Sequence, residues 1–286
     1  MAEPAPTIAP EPAPPGGRSL AQAVITALAL LAIVVVCYLL GRTAFFFLAV
    51  TVVLLALFEL LDALTQKGHK PSIPFGVLCG FAMMGVAYLH DPHRPDLLAV
   101  VIAVTLFGSV LLALRPARGQ TPASDAAWTV FGVIWVGGGG AGAVSILMIE
   151  PQDGTFLLIA TFLSIALGDI AAYFIGTRFG KHKMAPSISP GKSWEGFLAG
   201  IFGSLAGGAL FAGLLFDLSL AAGLGIGAIV ALLAPAGDLV ESLVKRELGI
   251  KDSGRLLPGH GGFLDRLDAI IFCCPVVYLF LRFIVF

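Results

Sequence analysis

Charged residues are scarce in this sequence. Only 12% of its 286 residues are Asp, Glu, Lys or Arg, about half the roughly 25% of a soluble globular domain. Apolar residues make up 58% of the chain, which excludes a disordered protein. A soluble fold of this length could not cover its surface with so few charges, so the composition argues against a soluble enzyme. The class that remains is a polytopic membrane protein.

Paired cysteines and a cleavable leader are also missing. All four cysteines lie in apolar runs without a CxxC spacing, so we interpret them as small buried apolar side chains. The first apolar run, 20–40, is longer than a signal-peptide core, and no small-residue cleavage site follows it. We therefore interpret this run as a retained membrane span, preceded by a disordered tail rich in Pro and Ala over residues 1–19.

Runs of about 20 apolar residues, long enough to cross a hydrocarbon core of about 30 Å, recur along the chain. We predict an all-α, polytopic integral membrane protein with about nine transmembrane helices. We interpret region 20–150 as a membrane scaffold with about five spans, and region 151–286 as a catalytic membrane region with about four. The predicted spans are approximately 20–40, 44–62, 72–89, 97–114, 127–148, 155–176, 195–216, 219–245 and 268–286.

The distribution of Lys and Arg indicates how the spans are oriented. With the N-terminus in the cytoplasm, 14 basic residues fall in cytoplasmic segments and only two, Arg42 and Arg94, fall outside. Because positive residues accumulate on the cytoplasmic side, this split supports nine spans and a cytoplasmic N-terminus. We expect the protein in the plasma membrane, with loops 177–193 and 246–267 and the active site facing the cytoplasm.

Acidic residues converge at the cytoplasmic ends of three predicted spans. Asp169, Asp238, Asp265 and Asp268 reach a similar depth when each helical residue contributes about 1.5 Å. A carboxylate in hydrocarbon costs about 3 kcal/mol or more, so each should face a cavity and have a partner. These acids are interfacial caps and ion pairs in one interpretation, and a site for a hard divalent cation such as Mg²⁺ in the other. By contrast, we interpret Glu59 as a solvated residue at a helix end.

Two further patterns favour a phosphate-binding site beside these acids. Asp238, Glu241, Ser242 and Lys245 share one helix face, which suits either a site or an ordinary amphipathic helix. The segment 249–268 is rich in glycine, whose backbone N–H groups can approach phosphate oxygens closely. Its side-chain candidates for phosphate binding are Lys251, Arg255 and His260.

An earlier basic segment, 180–196, contains Gly-Lys-Ser, the end of a P-loop. Pro186 stands where that motif has its first glycine, so we reject a P-loop. The segment is then either an ordinary positive cytoplasmic loop or a second phosphate-binding arm that faces 249–268.

Residues 242–268 resemble the signature of the phosphatidate cytidylyltransferase (CDP-diacylglycerol synthase) family. They run Ser-Leu-Val-Lys-Arg, then four residues, then Lys-Asp-Ser-Gly-Arg-Leu-Leu-Pro-Gly-His-Gly-Gly-Phe-Leu-Asp-Arg-Leu-Asp, without a departure from that signature. Residues 189–196, Ser-Pro-Gly-Lys-Ser-Trp-Glu-Gly, are similar to a second family element, although Gly191 stands where a basic or polar residue is usual. Asp169 also matches, so the specific resemblance covers about 165–268.

The resemblance implies that CTP and phosphatidic acid react to CDP-diacylglycerol and pyrophosphate, with Mg²⁺ or another hard divalent cation as cofactor. It implies CTP, phosphatidic acid and the bilayer as partners and no nucleic acid, and it leaves a homodimer open. The predicted metal ligands are Asp238, Asp265 and Asp169. The predicted catalytic residues are Asp238, Asp265, Lys245, Arg246 and Asp268. The predicted substrate-binding residues are Lys192, Ser193, Ser242, Lys251, Arg255, His260, Gly261, Gly262 and Arg266.

Two other functions fit parts of the sequence. The first is another membrane enzyme of nucleotide–lipid chemistry, such as a CTP-dependent lipid kinase or a CDP-alcohol phosphotransferase. The phosphotransferase motif is not continued after the only Asp-Gly pair, 153–154. The second is a transporter, which would also place acids in the membrane. A transport path should have polar residues toward the outer face, where the first five spans have few.

Overall fold

The computed structural model describes residues 20–89, 96–114, 122–150, 153–215, 218–254, 256 and 261–286. The predicted tail 1–19 and two of the predicted substrate-binding residues, Arg255 and His260, lie outside the described residues. The part that is described is almost entirely helical.

Each predicted span coincides with a helix. The α-helices are α1 (Leu20–Leu40), α2 (Arg42–Gln66), α3 (Ile73–Leu89), α4 (Asp96–Ala113), α5 (Pro122–Gly132), α6 (Gly138–Leu147), α7 (Gly154–Phe179), α8 (Trp194–Gly207), α9 (Leu220–Glu247) and α10 (Leu264–Phe280). Turns of π-helix join α5 to α6 (Val133–Gly137) and extend α8 (Gly208–Leu215) and α10 (Leu281–Val285). Among the described residues, seven helices are long and apolar enough to cross a membrane, and two apolar helices, α3 and 28–40 of α1, are shorter. The prediction of an all-α polytopic membrane protein is confirmed.

Small residues set the spacing of the helices that carry the predicted site. Helix α7 packs along α8, and α9 lies against both α8 and α10. A β-carbon at Gly203 of α8 would lie 2.7 Å from the carbonyl oxygen of Leu167 and 2.8 Å from the side chain of Ala171, both on α7. A β-carbon at Gly227 of α9 would lie 2.5 Å from the carbonyl oxygen of Ser204. The absent side chains allow these backbones to touch, as is common between membrane helices.

The predicted scaffold and the predicted catalytic region share one hydrophobic core. Helix α10 packs on α6, where a β-carbon at Gly142 would lie 2.6 Å from the backbone nitrogen of Pro275. Leu57 and Leu61 of α2 are fully buried and belong to the same cluster as Ile271 of α10. Helices from the N-terminal half therefore hold α10, which begins at the predicted site.

A two-stranded hairpin replaces part of the predicted loop 177–193. Strand β1 (Lys183–Ala185) pairs antiparallel with β2 (Ser189–Ser193), with Lys183 opposite Ser193 and Ala185 opposite Ser189. Strand β2 leads directly into α8. Its last residue, Ser193, caps this helix, because the Ser193 hydroxyl accepts a hydrogen bond from the Gly196 N–H at 3.2 Å. The hairpin thereby fixes the position of the residue before the cap, Lys192.

Candidate active site

Three carboxylates meet between α9 and α10. Asp238 and Glu241 are one turn apart on α9, so they share a face, and Asp268 lies near the start of α10. One oxygen of each carboxylate lies within 4.8 Å of the other two. The helices come this close because Gly237 has no side chain: a β-carbon there would lie 2.5 Å from the carbonyl oxygen of Asp268. We call Asp238, Glu241 and Asp268 the acid cluster.

A lysine from the hairpin brings positive charge to the acid cluster. Lys192 Nζ lies 2.7 Å from Asp238 Oδ2 and donates a hydrogen bond to the carbonyl oxygen of Pro235 at 3.1 Å. On the other side of the same carboxylate, the Ser242 hydroxyl donates to Asp238 Oδ1 at 3.4 Å. The structure therefore brings together α9 and the earlier basic segment, which are more than 40 residues apart in sequence.

A second lysine links the acid cluster to the start of α10. Lys245 Nζ lies 3.1 Å from Glu241 Oε2 and 2.9 Å from Asp265 Oδ1. Asp265 also accepts hydrogen bonds from the N–H groups of Ser253 at 3.2 Å and Gly262 at 2.8 Å. Gly261, which precedes Gly262, has a φ of 84°, a conformation that favours glycine. Asp265 therefore organises the described part of the glycine-rich segment and holds Lys245 against Glu241.

Asp238 and Asp268 of the acid cluster line a cavity of about 480 Å³ with two kinds of lining residue. Its charged lining residues are Asp169, Lys192, Asp238 and Asp268. Most of the remaining lining consists of glycine, alanine, aromatic and other small or apolar residues. These include Gly168, Ala172, Tyr173, Gly176, Met184, Phe197, Gly200, Ala231, Ala234 and Ala269. Such a cavity can hold a ligand that has both a charged group and a hydrophobic group.

The other described residues of the predicted site have different surroundings. Ser193 lines the cavity, but its hydroxyl caps α8. Arg246 Nε donates to the carbonyl oxygen of Ile188 at 3.2 Å and so joins α9 to the hairpin. Lys251 and Arg266 are exposed and lie outside the cavity lining. The Gly262 N–H, predicted to bind phosphate, donates to Asp265 in this arrangement.

Two functional candidates were missed in the sequence. Glu241 is only 2% exposed and joins the acid cluster, although it was not among the predicted site residues. Its position on the polar face of α9 was the signal that could have found it. The interpretation of Glu59 as a solvated residue is wrong: its side chain is buried, with 4% exposed, and its Oε2 accepts a hydrogen bond from the Leu264 N–H at 3.2 Å. No sequence spacing connects residues so far apart.

The acid cluster fits the requirements of a hard divalent cation. Such cations prefer oxygen ligands, with carboxylates prominent among them, and three carboxylate oxygens here could share one ion. Within the described part of the chain, Glu241 Oε1 is buried without a hydrogen-bond partner. Asp169 lines the same cavity. Asp265 was predicted as a ligand, but its oxygens are engaged by Lys245 and backbone N–H groups, so its metal role stays a prediction.

Comparison with known proteins agrees with this geometry. The sequence profile of the cytidylyltransferase family matches residues 21–284. The chain belongs to the cytidylyltransferase family. The phosphatidate cytidylyltransferase of Mycobacterium leprae is 31% identical over 279 residues, which cover 90% of this chain and 86% of that protein. The resemblance noted in the sequence is thereby confirmed.

Other relatives in the family align over a shorter stretch. The phosphatidate cytidylyltransferase of Mycobacterium bovis is 40% identical over 162 residues, 55% of this chain and 52% of that protein. The phosphatidate cytidylyltransferase of Staphylococcus aureus is 40% identical over 158 residues, 55% of this chain and 59% of that protein. The chain thus matches about half the length of the M. bovis protein.

Proposed function

We propose that this member of the cytidylyltransferase family is a phosphatidate cytidylyltransferase, which transfers CMP from CTP to phosphatidic acid and releases pyrophosphate. The observation that carries the proposal is a cavity lined both by charged side chains, three carboxylates and Lys192, and by many apolar residues. The names of the relatives, including the M. leprae protein that aligns with 90% of this chain, agree with it.

The cavity suits a lipid phosphate better than a soluble substrate. Phosphatidic acid carries a phosphate monoester on a glycerol with two acyl chains. Its phosphate would lie beside Lys192, which can make charge-assisted hydrogen bonds to phosphate oxygens. Its glycerol and the first acyl carbons would lie against Phe197 and Ala231. Tyr173 lines the cavity and is 67% exposed, so we place the entrance for the lipid on its side.

In the proposed reaction, an oxygen of the lipid phosphate attacks the α-phosphorus of CTP. A new phosphorus–oxygen bond forms, the bond from the α-phosphorus to the oxygen that bridges it to the β-phosphorus breaks, and pyrophosphate leaves. Because the lipid phosphate is already a nucleophile, no strong base is needed. The main barrier is repulsion between two polyanions, which positioned positive groups lower. Lys192 and Lys245 provide such groups, and Arg246, Lys251 and Arg266 add charge for the triphosphate or the lipid phosphate.

Asp238, Glu241 and Asp268 would hold the divalent cation, with Asp169 at the same cavity. When bound, such a cation neutralises charge on the phosphates. A ligand role for Asp265 requires Lys245 to release one of its oxygens. Because all of these candidate ligands are carboxylates, we propose Mg²⁺ as the cofactor.

We further propose that the protein lies in the plasma membrane with the acid cluster facing the cytoplasm. The support is the distribution of basic residues along the sequence. In this orientation CTP reaches the acid cluster from the cytosol, and phosphatidic acid reaches it from the inner leaflet. A homodimer stays a prediction.

The test is a product assay on the purified protein in detergent or vesicles. We expect CDP-diacylglycerol and pyrophosphate to form when CTP, phosphatidic acid and Mg²⁺ are all present, and neither when one of them is omitted. Release of CDP with a phosphorylated lipid would replace the proposal with a CTP-dependent lipid kinase. Substrate movement across vesicles without any nucleotide turnover would replace it with a transporter. CTP, dCTP and ATP in parallel establish which nucleotide is used.

A further inference from the structure

A buried carboxylate from the N-terminal half reaches the beginning of α10. Glu59 lies on α2, far outside the sequence that resembles the family signature. Its side chain is only 4% exposed, and Oε2 accepts a hydrogen bond from the Leu264 N–H at 3.2 Å across 205 residues of sequence. Leu264 immediately precedes Asp265, so this bond acts one residue away from the group that holds Lys245.

Glu59 packs on the backbone of the glycine-rich segment as well. A β-carbon at Gly254 would collide with the Glu59 carboxylate. A β-carbon at Gly262 would lie 2.6 Å from Glu59 Oε2 and 2.5 Å from the Ser253 hydroxyl oxygen. A side chain at either position would therefore displace the Glu59 carboxylate or the atoms around it. This contact gives these two glycines a role other than phosphate binding.

The chemistry of Glu59 is unusual for a residue that only fills space. Among the described residues, no ion pair of Glu59 with a Lys, Arg or His is present, and its Oε1 has no hydrogen-bond partner. Burying a carboxylate is costly unless it receives hydrogen bonds, and a well-packed apolar residue of similar volume is often as stable or more so. A carboxylate at this position therefore indicates that a hydrogen-bond acceptor for the Leu264 N–H is needed here.

We infer that Glu59 is a positioning residue for the active site. Two carboxylates accept hydrogen bonds from the described part of the glycine-rich segment: Glu59 accepts the Leu264 N–H, and Asp265 accepts the Ser253 and Gly262 N–H groups. Asp265 in turn holds Lys245 against Glu241. Glu59 thereby fixes the start of α10 and, through Asp265 and Lys245, the geometry of the acid cluster. The inference rests on the proposed function only for its kinetic consequences.

The test compares Glu59→Gln and Glu59→Leu with Asp62→Asn. Gln keeps an oxygen that can accept the Leu264 N–H, whereas Leu has none. Asp62 is a matched control, because it is an acid one turn further along α2 whose carboxylate accepts a hydrogen bond from Gln66 Nε2 within the same helix. For the Leu variant we expect kcat to fall about 10- to 100-fold and the Mg²⁺ half-saturation to rise, as for other residues that orient metal ligands. The Gln variant should lie between Leu and wild type, and the control should match wild type.

A second measurement does not depend on turnover. Hydrogen–deuterium exchange of the peptide 261–268 should be faster in the Leu variant than in wild type, and nearly unchanged in the Asp62→Asn control. If size-exclusion chromatography shows that the Leu variant does not fold, the kinetics and the hydrogen–deuterium exchange are both measured on the Gln variant instead. A folded variant with wild-type exchange and an unchanged Mg²⁺ half-saturation would overturn the inference. If wild type has no cytidylyltransferase activity but exchange still increases, the proposed function fails and the positioning role stands.

Discussion

Replacing Glu241 by Gln tests the acid cluster at the residue that the sequence did not assign to it. The substitution keeps the size of the side chain and removes a carboxylate that could carry a negative charge beside a bound cation. The carboxylate of Glu241 lies within 4.8 Å of those of Asp238 and Asp268, and its other close partner is Lys245 at 3.1 Å. Lys245 keeps its contact with Asp265 after the substitution, so no buried charge loses all its partners. We expect the folded protein to persist and the affinity for a divalent cation to fall.

A Coulomb estimate gives the size of the effect. A unit charge about 4–5 Å from another contributes about 3–4 kcal/mol at an effective dielectric constant near 20. Part of this is lost to Lys245, which offsets the charge of Glu241, so we expect a net loss of about 2–3 kcal/mol. Each 1.36 kcal/mol corresponds to about a tenfold change. The Mg²⁺ half-saturation, or the rate at a fixed low Mg²⁺ concentration, should therefore change about 30- to 150-fold.

The assay is CDP-diacylglycerol formation at saturating CTP and phosphatidic acid, measured over a wide range of Mg²⁺ concentrations. Glu247→Gln is the matched control, because Glu247 is an exposed acid at the end of the same helix. The control should follow the wild-type curve. If Glu241→Gln also follows it within about threefold, both in half-saturation and in maximal rate, Glu241 holds no cation and the acid cluster is a structural ion-pair network.

Two further substitutions probe the hairpin and the helix packing. Lys192→Met should lower kcat/KM for CTP or phosphatidic acid about 10- to 100-fold, since a hydrogen bond to a charged group is worth about 1.5–3 kcal/mol; Lys183→Met, an exposed hairpin position, should stay near wild type in the same steady-state assay. Gly139→Val should destabilise the fold by about 1–3 kcal/mol or more, because its β-carbon would lie 2.7 Å from the Ile271 α-carbon. The folded fraction after heating, measured by size exclusion, should drop for this variant and not for Gly85→Ala, where nothing lies within 4 Å. A heat-stable Gly139→Val protein would contradict the packing described for α6 and α10.

The helices could be predicted from the sequence because membranes impose one simple constraint. A span needs about 20 apolar residues, and this chain has so few charges that every run stands out. The same scarcity drew attention to the candidate acids, since a carboxylate in a span needs a partner. Asp238 and Asp268 were predicted to converge, and the structure places them in one cluster with Glu241.

The hairpin was not predicted because its pairing depends on tertiary context. Strand β1 has only three residues and β2 begins with Ser-Pro-Gly, a composition typical of turns. The strands are held by their neighbours instead: Ser193 caps α8, and Lys192 contacts α9. Sequence periodicity over so few residues cannot distinguish this hairpin from a loop.

The contrast between Glu241 and Glu59 shows where reasoning from sequence ends. Glu241 is three residues after Asp238, so helical geometry alone puts both on one face, and a wider criterion would have included it. Glu59 is separated from its partner Leu264 by 205 residues, and only the packing of the N-terminal helices around α10 brings them together. Apart from Asp169 and Lys192, the residues of the candidate site are concentrated in one stretch of sequence, because α9, the glycine-rich segment and α10 follow each other. The residues that hold this stretch in place have no such restriction, so an acid in an apparent scaffold helix can be part of the same site.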